Sequence, residues 1–113
     1  MSALPFTPAV SSAGWIAVSG QIGADADGTL GPDVVAQTRL ALTNLRHRLR
    51  SQGADLDDVV KVNVFLTSMS DYDAMNAAYA EHFTEHRPAR TCVAVVALPR
   101  GARVEIEAWA TRG

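Results

Sequence analysis

Two apolar segments near the end of the chain, PARTCVAVV and VEIEAWA, carry charged side chains whose types could do chemistry. Arg90 opens the first segment directly after Pro-Ala, and that segment contains no acidic residue to pair with it. A guanidinium beside an apolar strand presents a planar fork of N–H donors that matches a carboxylate. The pattern favours a carboxylate-binding arginine, and a structural ion pair between Arg90 and a glutamate is the alternative.

The second segment, residues 104–110, has the period-two alternation of a strand. One predicted face consists of Val104, Ile106, Ala108 and Ala110. The other face carries Glu105, Glu107 and Trp109. The small apolar set suits packing under a helix, so the glutamates are predicted on a face that no helix covers. They are either ordinary solubilising residues or part of a site on that face.

The spacing between Arg90 and Glu105 limits how the two could share a site. In a simple hairpin that turns at residues 98–101, Arg90 would lie opposite Trp109. Glu105 would then sit about four rows away, or about 13 Å at the usual rise per residue, which is too far for a direct ion pair. A site that uses both residues therefore requires another strand order, a second subunit, or both.

Three further strands are predicted from the rest of the chain. LPFTPAV, residues 4–10, contains two prolines and predicts an edge strand or an extended arm. GWIAVSGQIG, residues 14–23, predicts a strand interrupted at Ser19 and Gly20, where the missing side chain indicates a bulge or a close approach to the backbone. The third strand covers residues 59–67. Its pattern predicts one face of Val60, Val62, Val64 and Leu66 and an opposite face that carries Val59 and Phe65.

Two helices are predicted by apolar residues that recur every three or four positions. The first has Asp33 as N-cap and Gly53 just past its end. Its stripe consists of Val34, Thr38, Ala41, Leu42, Leu45 and Leu49. The second begins with a capping-box-like pair of Ser70 and Asp73 and ends before Pro88. Its buried stripe consists of Tyr72, Met75, Tyr79 and Phe83. The order ββαβαββ predicts an α+β domain with both helices on one face of a sheet.

The composition sets broad limits on class and partners. A chain of 113 residues with 48% hydrophobic and 19% charged residues predicts one domain, residues 1–113, with apolar surface left for self-association. A net charge of −2 does not favour nucleic-acid binding. The apolar runs fall short of the ~20 residues that a membrane-spanning helix needs. A single cysteine and the lack of an export signal predict a cytoplasmic protein.

Two short motifs resemble metal sites but are assigned to the surface. DADG, residues 25–28, lacks the glycine and glutamate spacing of an EF-hand loop, and its composition predicts a solvated turn. HFTEH, residues 82–86, matches the zinc-hydrolase pattern H-x-x-E-H without an evident third ligand. No metal site is predicted.

Five segments in order carry a resemblance to one known family. They are SGQIG (19–23), AQTRLALTNL (36–45), DDVVKVNVFLTSM (57–69), FTEHRPART (83–91) and VEIEAWA (104–110). Their order and spacing resemble the RidA family, also called the YjgF family, of reactive enamine/imine deaminases. The resemblance implies a chorismate-mutase-like fold in which the last strand inserts beside the first. It also implies a homotrimer with its sheets facing inward as a barrel and with sites in the clefts between subunits.

The resemblance also assigns roles to residues of this chain. The family's motif arginine matches Arg90 and binds the substrate carboxylate, and the first glutamate of VEIEA matches Glu105 and handles the attacking water. The position of Cys92 offers its backbone to the site. Three further positions line the same cleft: Ser19, Gly20 and Asn76. The implied reaction is hydrolysis of 2-imino acids and their enamine tautomers, such as 2-aminoacrylate, to 2-keto acids and ammonia, with no metal or organic cofactor.

One departure from the family lies near the N-terminus. The family commonly carries a tyrosine that reaches the pocket, and the corresponding residue is Phe6, which keeps the ring and lacks the hydroxyl. Pro8 also stands where glutamine is usual. The alternative functions are a non-catalytic trimer that binds or senses small carboxylates, and an endoribonuclease or translation inhibitor, as attributed to some relatives.

Overall fold

A computed structural model describes residues 4–112 of the chain. The strands are β1 (Ala9–Ser12), β2 (Trp15–Ile22), β3 (Val59–Leu66), β4 (Ala89–Ala94) and β5 (Val104–Thr111). The helices are α1 (Val34–Ser51) and α2 (Tyr72–Ala80). The order ββαβαββ expected from the sequence is confirmed.

The five strands form one mixed sheet in the order β1-β2-β5-β3-β4. The last strand, β5, lies in the middle and pairs antiparallel with both β2 and β3. The expectation that it inserts beside the first strand was wrong, because β1 pairs only with β2, at the edge of the sheet. Strand β4 pairs only with β3. This pair is parallel, and α2 provides the crossover that a parallel connection requires. Segments β4 and β5 are therefore not a hairpin, and β4 forms an edge of the sheet.

Both helices pack on the same face of the sheet and enclose the hydrophobic core. Helix α1 begins where predicted, since the Asp33 carboxylate accepts a hydrogen bond from the amide of Ala36 at 2.8 Å. It ends where predicted as well, because Gly53 has a φ of +81°, which glycine adopts without steric cost. Strand β5 buries its small apolar residues under the helices, as its alternation predicted.

The prediction for the faces of β3 was wrong at its start. Val59 is 1% exposed and belongs to the core, whereas Val60 is 44% exposed. The register between β3 and β5 shifts between Val59 and Lys61, so one extra residue is inserted there. Such a bulge moves the residues before it to the opposite face, which a strict alternation cannot anticipate.

The predicted start of α2 was also wrong. Ser68, rather than Ser70, caps a short 3-10 turn by accepting a hydrogen bond from the Ser70 amide, and α2 follows at Tyr72. Tyr72 is 39% exposed, so it lies outside the core. The other residues of the predicted stripe, Met75, Tyr79 and Phe83, are buried.

The second face of the sheet, called here the open face, has no helix on it within residues 4–112. Trp15 and Trp109 lie on it and are 46% and 47% exposed. Val10 and Val93, on opposite edges of the sheet, also leave much of their side chains exposed there. None of the helices in this part of the chain is long and apolar enough to span a membrane.

Candidate active site

Arg90 lies on the helix-covered face of the sheet, at the edge strand β4. It pairs with Val62 of β3, which is fully buried under the helices, and residues paired across a sheet point to the same face. Its guanidinium carbon lies 4.8 Å from the ring centroid of Tyr79, which is within the range of a cation–π contact. No carboxylate within residues 4–112 forms an ion pair with it. A structural ion pair with a glutamate of the same chain is therefore excluded for this region.

Two other predicted site residues lie on the same side as Arg90. Cys92 pairs with the buried Val64, so it shares the face of Arg90, and it packs against the core. Burial raises the pKa of its thiol, while the charge of Arg90 acts in the opposite direction. Asn76 lies on α2, four residues after Tyr72 and therefore on the same side of the helix. We call Arg90, Cys92 and Asn76, with Tyr72 and Tyr79, the arginine half-site.

Glu105 lies on the open face of the central strand β5. It is flanked by Ile22 of β2 and Phe65 of β3 and is partly buried between them. Burial raises the pKa of its carboxyl, and the negative charge of Glu107, two residues on and on the same face, raises it further. The Glu107 carboxylate is itself fixed by a 2.9 Å hydrogen bond from the side-chain amide of Asn63.

The β2 bulge predicted at Ser19 and Gly20 is present and lies against Glu105. The register between β2 and β5 shifts between Val18 and Gln21, which leaves these two residues outside the regular ladder. A Cβ atom on Gly20 would lie 2.7 Å from both the Cδ and an Oε atom of Glu105. Glycine is therefore needed at this position for the glutamate side chain to lie across the strand.

The N-terminal segment is tied to the same bulge. The Ser19 hydroxyl donates to the carbonyl of Thr7 at 2.7 Å, and the Ser19 amide donates to the carbonyl of Pro8 at 2.8 Å. These bonds fix Thr7 and Pro8 beside the bulged part of β2, and Phe6, which is 56% exposed, directly precedes them in the chain. We call Glu105, Gly20, Ser19 and Phe6 the glutamate half-site.

The two half-sites lie on opposite faces of one chain. Arg90 and Glu105 are separated by two strand spacings and three rows, which places their Cα atoms about 14 Å apart, and their side chains point away from each other. A molecule the size of a keto acid cannot contact both within one chain. The structure brings the predicted residues together in two groups, not in one.

Tyr72 and Tyr79 are the residues that the sequence reasoning missed as part of a site. The spacing along α2 assigned both to its buried stripe, and both contact the guanidinium of Arg90. The sequence feature that could have identified them is the absence of an acidic residue in the segment around Arg90. A partly buried guanidinium without a carboxylate partner needs an aromatic face or another oxygen acceptor.

The two metal-like motifs form no cluster of ligands. His86 contacts the carbonyl of Val59 at 2.6 Å, and His82 contacts the carbonyl of Ala78 at 3.3 Å, so the rings are used in local hydrogen bonds. The Asp25 carboxylate accepts hydrogen bonds from the amides of Asp27 and Thr29 and closes its own turn. Within residues 4–112 no three His, Cys, Asp or Glu side chains are placed to hold a metal ion.

Comparisons with known proteins agree with this architecture. The family model described as Endoribonuclease L-PSP matches residues 1–112. The 2-iminobutanoate/2-iminopropanoate deaminase of Capra hircus is 43% identical over 111 residues, which cover 96% of this chain and 81% of that protein. The Escherichia coli K12 protein of the same name is 38% identical over 112 residues, which cover 96% of this chain and 88% of that protein.

Solved structures show the same fold. The E. coli YjgF gene product superposes with a TM-score of 0.92 at 37% identity, covering 96% of this chain and 89% of that one. E. coli TdcF with bound serine superposes with a TM-score of 0.93 at 34% identity, covering 99% of this chain and 91% of that one. The chain belongs to the Endoribonuclease L-PSP family, which is the RidA/YjgF family indicated by its motifs.

Proposed function

We propose that this protein hydrolyses short-lived 2-imino acids and their enamine tautomers to 2-keto acids and ammonia. The support is that relatives of about 40% identity, which align with nearly the whole chain, are named for deamination of 2-iminobutanoate and 2-iminopropanoate. Each of those substrates carries a carboxylate next to an imine carbon. The iminium form and one water give the keto acid and ammonium, so the reaction consumes only water.

In this proposal Arg90 binds the substrate carboxylate. The observation that carries the proposal is that Arg90 is partly buried, that its guanidinium lies over the ring of Tyr79, and that it has no anionic partner within residues 4–112. Its planar donors match the two oxygens of a carboxylate. A solved relative, E. coli TdcF, has bound serine, so a ligand that carries a carboxylate binds at least one member of the family.

Glu105 acts on water in the same reaction. As a carboxylate it takes a proton from the water that attacks the iminium carbon, and it then gives that proton to the nitrogen of the tetrahedral aminoalcohol. As the C–N bond breaks and the carbonyl forms, Glu105 accepts the hydroxyl proton and passes it to the departing ammonia, which leaves as ammonium and restores the carboxylate. A positioned base of this kind contributes about 10²–10⁴-fold. Burial raises the pKa of Glu105 and makes the carboxylate a better base than a solvated one.

The remaining residues of the half-sites line the cleft. Ser19 and Gly20 form the wall beside Glu105, and Phe6 supplies a ring without a hydroxyl. Cys92 offers its backbone, and Asn76 offers its amide from α2.

The complete site forms between two copies of the chain. Because Arg90 and Glu105 lie on opposite faces of the sheet, a neighbouring copy must bring one to the other. A closed ring of three copies with their open faces inward satisfies this need and also covers Trp15 and Trp109. We place this homotrimer in the cytoplasm, where a lone cysteine stays reduced.

Mixed assemblies test the shared site directly. An Arg90→Ala chain and a Glu105→Ala chain, given different affinity tags, are co-expressed and purified over both tags. Every doubly tagged trimer then has one interface with both wild-type residues, so we expect about one third of the wild-type ammonia release, while each variant alone is inactive. Activity is measured on an imine generated in the assay. Doubly tagged trimers without activity would contradict a site shared between subunits.

The alternative functions receive less support. The family model carries an endoribonuclease name, but the net charge of the chain is −2. Arg46 and Arg50, in the basic run RHRLR, both form ion pairs with Asp55, so their charge is partly neutralised.

A protein that only binds carboxylates would release no ammonia in the assay above and would still bind 2-ketobutyrate through Arg90. Measuring both quantities on the wild-type protein separates the two functions.

A further inference from the structure

Tyr72 is an exposed aromatic residue whose position the core does not explain. It is the first residue of α2, and it is 39% exposed although the pattern of the helix placed it in the buried stripe. Its hydroxyl oxygen accepts a hydrogen bond from Nη2 of Arg90 at 3.3 Å. Its ring centroid lies 5.7 Å from the guanidinium carbon. Tyr72 therefore contacts Arg90 through both its hydroxyl and its ring.

Three side chains of α2 hold the guanidinium, and they do so in different ways. The guanidinium carbon lies over the ring of Tyr79, 4.8 Å from its centroid, in a cation–π contact. The sulfur of Met75 lies 3.9 Å from Nη1 and is a weak acceptor. A cation–π contact is not tied to one N–H group and leaves the guanidinium free to rotate, so the hydroxyl of Tyr72, which accepts from Nη2, is the contact that sets its orientation.

We infer that Tyr72 is a positioning residue for carboxylate binding by Arg90. By occupying one donor of Nη2, its hydroxyl fixes the guanidinium so that the remaining N–H groups are presented together to a ligand carboxylate. Ordering the side chain before the ligand arrives lowers the cost of binding. The inference rests on the proposed function, since it concerns the affinity of the same site for 2-imino and 2-keto acids.

Tyr79 provides a matched control on the same helix. Its hydroxyl is buried and has no hydrogen-bond partner within residues 4–112, and burial raises its pKa to about 12. Its ring contacts Arg90, and its oxygen does not. A Tyr→Phe change removes one oxygen at either position and keeps the ring, but only Tyr72 loses a bond to Arg90.

The experiment compares Tyr72→Phe and Tyr79→Phe in the full-length protein. Loss of a hydrogen bond to a charged, partly exposed group predicts a KM about five- to tenfold higher for Tyr72→Phe, with kcat within about twofold of wild type. The Kd for 2-ketobutyrate, measured by calorimetry, should rise by the same factor, and the melting temperature should not change. For Tyr79→Phe, which keeps the ring against Arg90 and removes no hydrogen bond to it, we expect a smaller rise in KM and Kd than for Tyr72→Phe.

The outcomes separate this inference from the proposed function. An unchanged Kd and KM in Tyr72→Phe would overturn the role of Tyr72 and leave the deaminase proposal intact. A wild-type protein that releases no ammonia, but whose Kd for 2-ketobutyrate still rises in Tyr72→Phe, would overturn the deaminase proposal and support the role of Tyr72. A wild-type protein that does not bind 2-ketobutyrate would overturn both.

Discussion

The arginine half-site and the glutamate half-site are positioned by different parts of the structure. Arg90 stands on an edge strand that pairs on one side only, and side chains of α2 set its orientation. Glu105 stands on the central strand, and its position depends on the backbone of β2, where Gly20 leaves room for it. Changes in the first group should therefore act on ligand binding, and changes in the second should act on the chemical step.

The charges of the two half-sites also differ. Arg90 has no anionic neighbour in the described chain, so its charge is available to a ligand. Glu105 has an anionic neighbour in Glu107, which opposes its ionisation. One half-site is thus prepared to receive a negative charge and the other to take up a proton, and the two are complementary in the proposed assembly, where a neighbouring copy brings one to the other.

The largest effect is expected for Glu105→Gln. The amide keeps the size of the side chain and cannot accept a proton from water, so kcat should fall by about 100-fold or more. KM should change less than threefold, because the carboxylate-binding residues lie on the other half-site. Steady-state ammonia release at saturating substrate measures kcat, and its dependence on substrate concentration measures KM. A fall in kcat of less than fivefold would exclude Glu105 as the base.

Arg90→Lys tests the other half-site. A lysine keeps the charge but loses the planar pair of donors, so two charge-assisted hydrogen bonds are replaced by one. We expect KM to rise by about 10- to 100-fold, which corresponds to the loss of one such bond, and kcat to fall much less. The Kd for 2-ketobutyrate should rise in parallel. If kcat fell and KM stayed constant, Arg90 would belong to the chemical step.

Gly20→Ala should reduce kcat by about tenfold without unfolding the protein. The added Cβ would meet the far end of the Glu105 side chain at 2.7 Å, and that end can rotate away, which moves the base from its position. Gly23→Ala is the control, since its Cβ would lie 2.2 Å from the backbone oxygen of Gln37, which cannot move without shifting α1. We expect Gly23→Ala to lose thermal stability instead. Thermal melts and kcat distinguish the two variants.

Local patterns in the sequence were sufficient to predict the order of the elements and the faces of the central strand, but not every boundary, since β1 covers Ala9–Ser12 and not residues 4–10. The alternation of residues 104–110 separated core from open face, and the caps at Asp33 and Gly53 gave both ends of α1. These features depend on neighbours in the chain. The bulge at Ser19 and Gly20 was also predicted, because a glycine inside a strand weakens the regular ladder and is typical of a bulge.

The placement of the two half-sites on opposite faces of the sheet could not be predicted from local patterns in the sequence. The face that Arg90 occupies depends on its pairing with Val62 across a parallel crossover, which no local pattern in β4 encodes. The bulge before Lys61 depends on the pairing with β5 in the same way, and it places Val59 and Val60 on the faces opposite to those predicted. Contacts such as that between Tyr72 and Arg90 depend on where α2 lies over the sheet, so the periodicity of the helix alone assigned Tyr72 to the core.

The smallest effect, a shift in pH dependence, is expected for Glu107→Gln. The glutamine oxygen can still accept the hydrogen bond from Asn63, so the geometry is kept and only the charge is removed. Because the charge of Glu107 raises the pKa of Glu105, its removal should lower that pKa. The base form of Glu105 is lost as pH falls through its pKa. The acid limb of the pH profile of kcat/KM should therefore move to lower pH, with the plateau near neutral pH unchanged.

The matching variant of the other half-site, Tyr72→Phe, should lower kcat/KM and leave the acid limb of the profile in place. If the limb moved in Tyr72→Phe, or stayed in place in Glu107→Gln, the separation of binding from proton transfer between the two half-sites would be wrong.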